Sequence, residues 1–333
     1  MATALLLVAG CTASEDQAGS PQPDERPPAS TSPNPAEDLP SPTGTTALSA
    51  DVGASPSTPA ADVEVDGAAM REVVDLLAAT IGPREATSRS FARAARLVER
   101  RLSNLGYEVT TQPVPVPAGT SWGVSVPAGE SVNVIAVAPG TDRSEPHLVL
   151  GAHLDTVPQA PGAVDNASGI SVLLETARLA MLEPPPQPVV FVAFGAEEPR
   201  GPGDDLHHFG SQAYVAGLTS RQRAALVGAI AVDSVGISQG GVPVCTADAG
   251  PDPFTPAVRQ AVRRADVPLR TCVSRTSDHW SFVRNGLDGT RVGLAGIEEY
   301  EQYHSAADVP DVVRDRLLTQ AAEAVWAAVS RAY

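Results

Sequence analysis

Apolar spacing changes character several times along the chain, and each change marks an element. Met70-Arg71-Glu72-Val73-Val74-Asp75-Leu76-Leu77 repeats apolar positions at helical spacing and stops before Gly82-Pro83. From 90 to 105, Ala92, Ala95, Leu97, Val98, Leu102 and Leu105 share one helical face, and Gly106 ends the run. Tyr107 to Val114 alternates as a half-buried strand does. Further strands are expected at 133–137, 148–152, 189–193 and 229–232. The last three are unbroken apolar runs, the pattern of strands covered on both faces. A helical pattern over 167–182 lies between two of them, and another over 312–333 closes the chain. There Val313, Leu317, Ala321, Val325 and Ala328 form one stripe. Helices alternating with buried strands predict an α/β fold, a single mixed, mostly parallel sheet sandwiched by helices.

That periodicity is missing before residue 65. Residues 12–65 are rich in Pro, Ser, Thr, Ala and acid, with almost nothing large and apolar to bury. Such a segment is expected to stay extended as a disordered linker. Ahead of it, Ala4 to Ala9 is a short apolar run, and Val8-Ala9-Gly10-Cys11 puts small residues before a cysteine, as in a bacterial lipobox. Residues 1–11 are therefore expected to be a lipoprotein-type signal, although no Arg or Lys precedes the apolar run. The expected location is outside the cell: anchored to the membrane through lipid on Cys11, or secreted. The folded domain is expected over 66–333. No stretch reaches the ~20 apolar residues of a spanning helix.

Composition narrows the partners. The 333 residues carry a formal charge of −16, and all 23 basic residues are Arg. A chain this acidic repels phosphate backbones, so no nucleic acid partner is expected. Cys245 and Cys272 lie in strand-like segments, 242–246 and 269–273, on either side of a helix-like stretch. In an oxidising compartment they could pair, closing a loop worth about 3 kcal/mol in the chain-entropy model; two buried thiols are the alternative.

The chemistry collects at strand ends. The run Leu148-Val149-Leu150-Gly151-Ala152 leads into His153-Leu154-Asp155, Val189-Val190-Phe191-Val192-Ala193 leads towards Glu197-Glu198, and Ile230-Ala231-Val232 ends in Asp233. Ligands of such sheets bind where strands end. Unpaired buried carboxylates cost several kcal/mol each, so a cluster of them needs a cation. Imidazole and carboxylate together suit zinc.

In order along the chain, His153-Leu154-Asp155, Asp165-Asn166-Ala167-Ser168-Gly169, Glu197-Glu198, Asp233 and Tyr303-His304-Ser305 resemble metallopeptidase family 28, the secreted di-zinc aminopeptidases. The resemblance runs from about Met70 to the end and takes in Ile81-Gly82-Pro83-Arg84 and Thr276-Ser277-Asp278-His279. It implies a zinc exopeptidase fold with two Zn2+ per chain. His153 and Asp233 would hold one ion, Glu198 and His304 the other, and Asp165 would bridge them from a cis bond to Asn166. Asp155 would orient the His153 imidazole. Glu197 would be the general base and Tyr303 would stabilise the oxyanion, with nearby Tyr300 leaving open which tyrosine is core and which is rim. The substrates implied are peptide or protein N-termini, and the enzyme is expected to act as a monomer.

Other histidines are expected elsewhere: His207 and His208 in a solvated loop, His147 facing solvent, and His279 in a structural or pocket role. Three other readings compete. His153-Leu154-Asp155-Thr156-Val157-Pro158 also fits co-catalytic peptidases whose bridging aspartate lies far downstream, but Asp165 follows His153 by only twelve positions. A glutaminyl-cyclase-like enzyme would share the fold and use one zinc. A non-catalytic binding ectodomain would tend to lose ligands, whereas this chain keeps every one.

Overall fold

The computed structural model describes residues 63–247 and 250–333. The signal-like segment, Cys11 and the linker up to residue 62 lie outside the described residues. The strands are β1 Glu108–Val116, β2 Gly119–Ser121, β3 Val124–Val126, β4 Gly129–Val137, β5 His147–His153, β6 Val189–Phe194, β7 Leu226–Asp233, β8 Val242–Thr246, β9 Leu269–Val273 and β10 Gly289–Gly293. Eight of them form one mixed sheet in the order β1-β4-β6-β5-β7-β10-β8-β9, while β2 and β3 make a separate hairpin. The unbroken apolar runs take the middle of the sheet, where β5 pairs in parallel with both β6 and β7.

Helices cover both faces, which is why these strands show no polar alternation. The helices are α1 Gly67–Val74, α2 Arg89–Asn104, α3 Gly169–Leu182, α4 Phe209–Gly217, α5 Ser220–Ala225, α6 Phe254–Arg264, α7 His279–Val283 and α8 Asp315–Val329. Leu148, Leu150 and Ala152 of β5 pack into a core with α1, α2, α3, α6 and α8. Val149 between them points the other way, into a second core with Tyr214 of α4 and Phe282 of α7. Successive residues thus feed opposite layers, as strand geometry requires. No helix among the described residues is long and apolar enough to cross a membrane.

Local signals set the helix starts. Ser88 caps α2, accepting from the Phe91 amide at 3.0 Å. Asp66 caps α1 in the same way from Ala69 at 2.9 Å. Beyond Val74, helix α1 widens into a π-helical stretch, Asp75–Ile81, that ends at Gly82.

Two features depart from the sequence reading. The strand expected to begin at 148 begins at His147, which is fully buried; its Nδ1 lies 2.9 Å from the Glu145 carbonyl oxygen. Its place opposite Leu226 of β7, rather than its polarity, decides that burial. Strand β10 was not anticipated, because five residues flanked by glycines with an arginine at the centre carry little strand signal. Cys245 and Cys272 are register partners on β8 and β9 and are joined by a disulfide.

Candidate metal centre

The site forms where β5, β6 and β7 end side by side. His153 is the last residue of β5, Asp233 is the last of β7, and Glu197 and Glu198 follow β6. Asp165 comes from the irregular turn that leads into α3, and His304 from the loop before α8. All are buried. The His153 Nε2 atom lies 3.0 Å from Asp165 Oδ1 and 3.5 Å from Asp233 Oδ1. His304 Nε2 lies 3.0 Å from Asp165 Oδ2 and 3.2 Å from Glu198 Oε2. The two oxygens of one carboxylate therefore face different imidazoles. Ligand atoms of His153, Asp165 and Glu198 fall within 4.8 Å of one another, as do those of His153, Glu197 and Asp233.

The turn that carries Asp165 is tied down at each step. Its peptide bond to Asn166 is cis. Asn166 donates to the Val232 carbonyl at 2.8 Å and accepts from the Ser234 amide at 3.2 Å, straddling Asp233. A Cβ on Gly169 would sit 2.2 Å from Asn166 Oδ1 and 2.4 Å from the Val232 oxygen, so only glycine allows this approach. On the other side, the Asp308 carboxylate accepts from the amides of Val164 at 2.8 Å and Asp165 at 3.1 Å.

Asp155 works through two groups. Its backbone oxygen lies 3.2 Å from His153 Nδ1, which leaves Nε2 free as the ligand atom when Nδ1 carries the proton. Its carboxylate, 3.9 Å from that nitrogen, accepts the amides of Glu197 at 3.0 Å and Glu198 at 3.1 Å. One residue thus orients the His153 imidazole and fixes the backbone of both glutamates. Tyr303 stacks on the His304 ring with centroids 3.7 Å apart, while Tyr300 is buried in the core. Burial, with Asp165 and Glu198 nearby, pushes the Tyr303 hydroxyl well above its ordinary range, so it remains a donor.

His208 is not a solvated loop residue. It is buried, and its Nε2 lies 3.1 Å from Glu197 Oε1. The polar insert folds back on the glutamate loop, because the His208 amide donates to the Glu197 carbonyl at 2.8 Å and that of Phe209 to Ala196 at 2.8 Å. Burial lowers the His208 pKa, so the ring meets Glu197 as a neutral imidazole. His207 stays half-buried, 3.1 Å from the Gly201 oxygen. His279 is buried with Nε2 2.8 Å from the Ser274 oxygen, and burial pulls it down to about 4.

Arg291 was missed by sequence reasoning. At the centre of β10 it ion-pairs with Asp233 at 3.1 Å and donates to Thr276 Oγ1 at 3.0 Å. The sequence carried no signal for it, because the five residues of β10 show no period and the burial of Arg291 is known only from the fold.

Electrostatics favour a cation. Burial pushes Glu197 up to about 8 and Glu198 up to about 7. His304 is depressed by burial but carried up to about 10 by Glu198 and Asp165. The polypeptide alone therefore holds protons among these groups, and metal ions compete for such positions. Glu198 Oε2 also accepts no hydrogen bond although it is buried, an orphaned acceptor facing the His304 nitrogen. Imidazole nitrogen and carboxylate oxygen are the donor set of zinc, so the residues present fit it.

Known proteins resemble this chain in sequence and fold. The chain is 32% identical over 210 residues to Aminopeptidase YwaD of Bacillus subtilis, a match covering 61% of this chain and 45% of the relative. It spans about half the length of the curated relatives it matches. Among solved structures, BSAP, a zinc aminopeptidase from Bacillus subtilis, superposes with a TM-score of 0.70 at 19% identity, covering 81% of this chain and 95% of that one. A glutaminyl cyclase from Bacteroides thetaiotaomicron does so with a TM-score of 0.67 at 19% identity, over 81% and 99%. The model of peptidase family M28 matches residues 133–329, more than half of the chain, a span that includes His153, Asp165, Glu198, Asp233 and His304 and reaches the end of α8. A match of that extent is not a local likeness: the chain belongs to peptidase family M28.

Proposed function

We propose that this chain is a zinc-dependent exopeptidase, an aminopeptidase that removes residues from peptide N-termini with two metal ions. The observation that supports it best is Asp165, whose two oxygens each lie 3.0 Å from a different histidine nitrogen. His153 and Asp233 would hold one ion, His304 and Glu198 the other, with Asp165 shared between them. Bound zinc would lower the pKa of water towards ~7 and polarise the scissile carbonyl. Glu197 takes the proton of the attacking water and returns it to the leaving amine. Tyr303 donates its hydroxyl to the developing oxyanion. Surplus carboxylate at the centre attracts the free α-ammonium of a substrate, which favours release of an N-terminal residue.

Metal analysis tests this reading. The purified protein should hold about two zinc ions per chain, and chelation should abolish hydrolysis of aminoacyl-p-nitroanilides. N-acetylated analogues should remain uncut. A single tightly held ion with full activity would favour the cyclase-like reading instead.

We propose further that the protein is exported and anchored through Cys11. The wild type should then partition with membranes, and Cys11→Ala should release it. Equal partitioning of both forms would refute the anchor.

A further inference from the structure

We infer that Trp122, at the tip of the β2–β3 hairpin, is the wall that receives the side chain of the substrate's first residue, and that it selects large apolar residues there. The inference rests on the aminopeptidase reading and adds a substrate class to it. Trp122 stands almost perpendicular to two rings of the centre. Its ring centroid lies 4.5 Å from that of His304, at an interplanar angle of 83°, and 5.7 Å from that of Tyr303, at 87°. Despite both contacts the residue is 49% exposed. One part of the indole is therefore seated on the ligand histidine while another part is open to solvent. An exposed indole fixed at the edge of a polar centre offers a large, rigid apolar surface, and covering it with a ligand side chain is favourable.

The hairpin is held as a fixed arm rather than left as a free loop. A Cβ on Gly119 would lie 2.0 Å from the Arg200 oxygen, so β2 runs directly against the segment two residues past Glu198. The Thr120 amide donates to that same oxygen at 3.1 Å. The Arg200 side chain donates to the Pro127 carbonyl at 2.7 Å, beyond the other strand, and ion-pairs with Glu85. The glutamate loop thus sets where the arm stands.

Turn chemistry gives no reason for a tryptophan here. Trp122 has φ 45° and Gly123 has φ 83°, both positive, in a two-residue hairpin turn. Such turns prefer Asn-Gly, and a bulky side chain at positive φ is disfavoured. The indole is kept at a position that opposes it, and what it gains is contact with His304 and Tyr303. A substrate ammonium held by the nearby carboxylates would start its own side chain beside the imidazole that Trp122 covers. Tyr303 is stacked on that imidazole at 3.7 Å, and the half-exposed indole of the arm is an open aromatic surface beside it. Exposed Ile297, on the loop leading to Tyr303, adds apolar character to that segment.

The test compares zinc-loaded wild type, Trp122→Ala and Trp122→Phe on leucyl-, phenylalanyl- and alanyl-p-nitroanilide. Calorimetry of free L-phenylalanine and L-alanine supplies a readout besides activity. Trp122→Ala should lose about 10- to 50-fold in kcat/KM on the leucyl and phenylalanyl substrates and less than about threefold on the alanyl one. Its zinc content should match wild type, Trp122→Phe should recover most of the loss, and L-phenylalanine binding should weaken in parallel. Equal losses on all three substrates would overturn the inference, as would lowered zinc content, since Trp122 would then serve only to cover His304. A wild type that cuts none of the substrates, yet binds L-phenylalanine through Trp122, would refute the aminopeptidase reading and leave the wall in place. Normal hydrolysis with no preference that depends on Trp122 would do the reverse.

Discussion

Replacing Glu197 with Gln is expected to lower kcat by about 10²–10⁴ while leaving KM and zinc content near wild type. The two neighbouring glutamates have separable surroundings. Glu198 Oε2 faces the His304 nitrogen and its other oxygen accepts the Val157 amide at 3.2 Å, which places its carboxylate beside the proposed ligands. Glu197 Oε1 instead meets the neutral His208 imidazole at 3.1 Å. A glutamine keeps that contact and the side chain's volume, but it cannot accept a proton from water. Glu198→Gln removes a charged ligand and should deplete metal as well as rate. The measurement pairs steady-state kinetics with metal content of both variants. Loss of metal in Glu197→Gln and retention in Glu198→Gln would reverse the roles. Near-full kcat in Glu197→Gln would remove Glu197 as the base.

Arg84→Met is expected to destabilise the domain by about 3 kcal/mol and to weaken metal retention. Arg84 is completely buried. Its guanidinium donates to the carbonyls of Leu154 at 2.8 Å, Pro161 at 2.6 Å and Gly162 at 2.9 Å. These carbonyls belong to the loop joining His153 to Asp165, so one side chain sets the path between two of the proposed ligands. Burial pulls the group down to about 10, and Asp308, Asp155, Asp165 and Glu198 oppose that shift. It is thus also a permanent cation among the acids. Removing it strands two buried acceptors and one part-buried one, at about 1–3 kcal/mol for each buried one, partly offset because a desolvated charge disappears as well. Arg84→Lys should recover little, since one ammonium cannot match the planar fork that reaches three separate carbonyls. Denaturant midpoints of the zinc-loaded proteins test this. A variant as stable as wild type would show that the carbonyls find water or other donors.

What the sequence determined by itself was whatever short-range pattern encodes. The apolar runs over 148–152, 189–193 and 229–232 became β5, β6 and β7, because a strand buried on both faces must be apolar at every position. His153, Asp165, Glu198, Asp233 and His304 were legible because each stands in a short motif at a strand end or turn, and the structure brings them together. The hairpin β2–β3 and strand β10 were not legible, being too short and too rich in glycine and polar residues to show a period. Only the tertiary structure decided that His208 turns inward to Glu197, that Arg291 pairs with Asp233, and that Trp122 leans on His304. His208 alone reads as a solvated loop residue, and in each of these contacts the role comes from a partner brought near by the fold. Arg291 and Asp233 are remote in sequence, yet β10 lies beside β7 with Gly293 opposite Asp233. Asp308 likewise reaches the amides of Val164 and Asp165 from beyond His304. Burial and charge pairing depend on which surfaces meet, and local sequence patterns carry no record of that meeting.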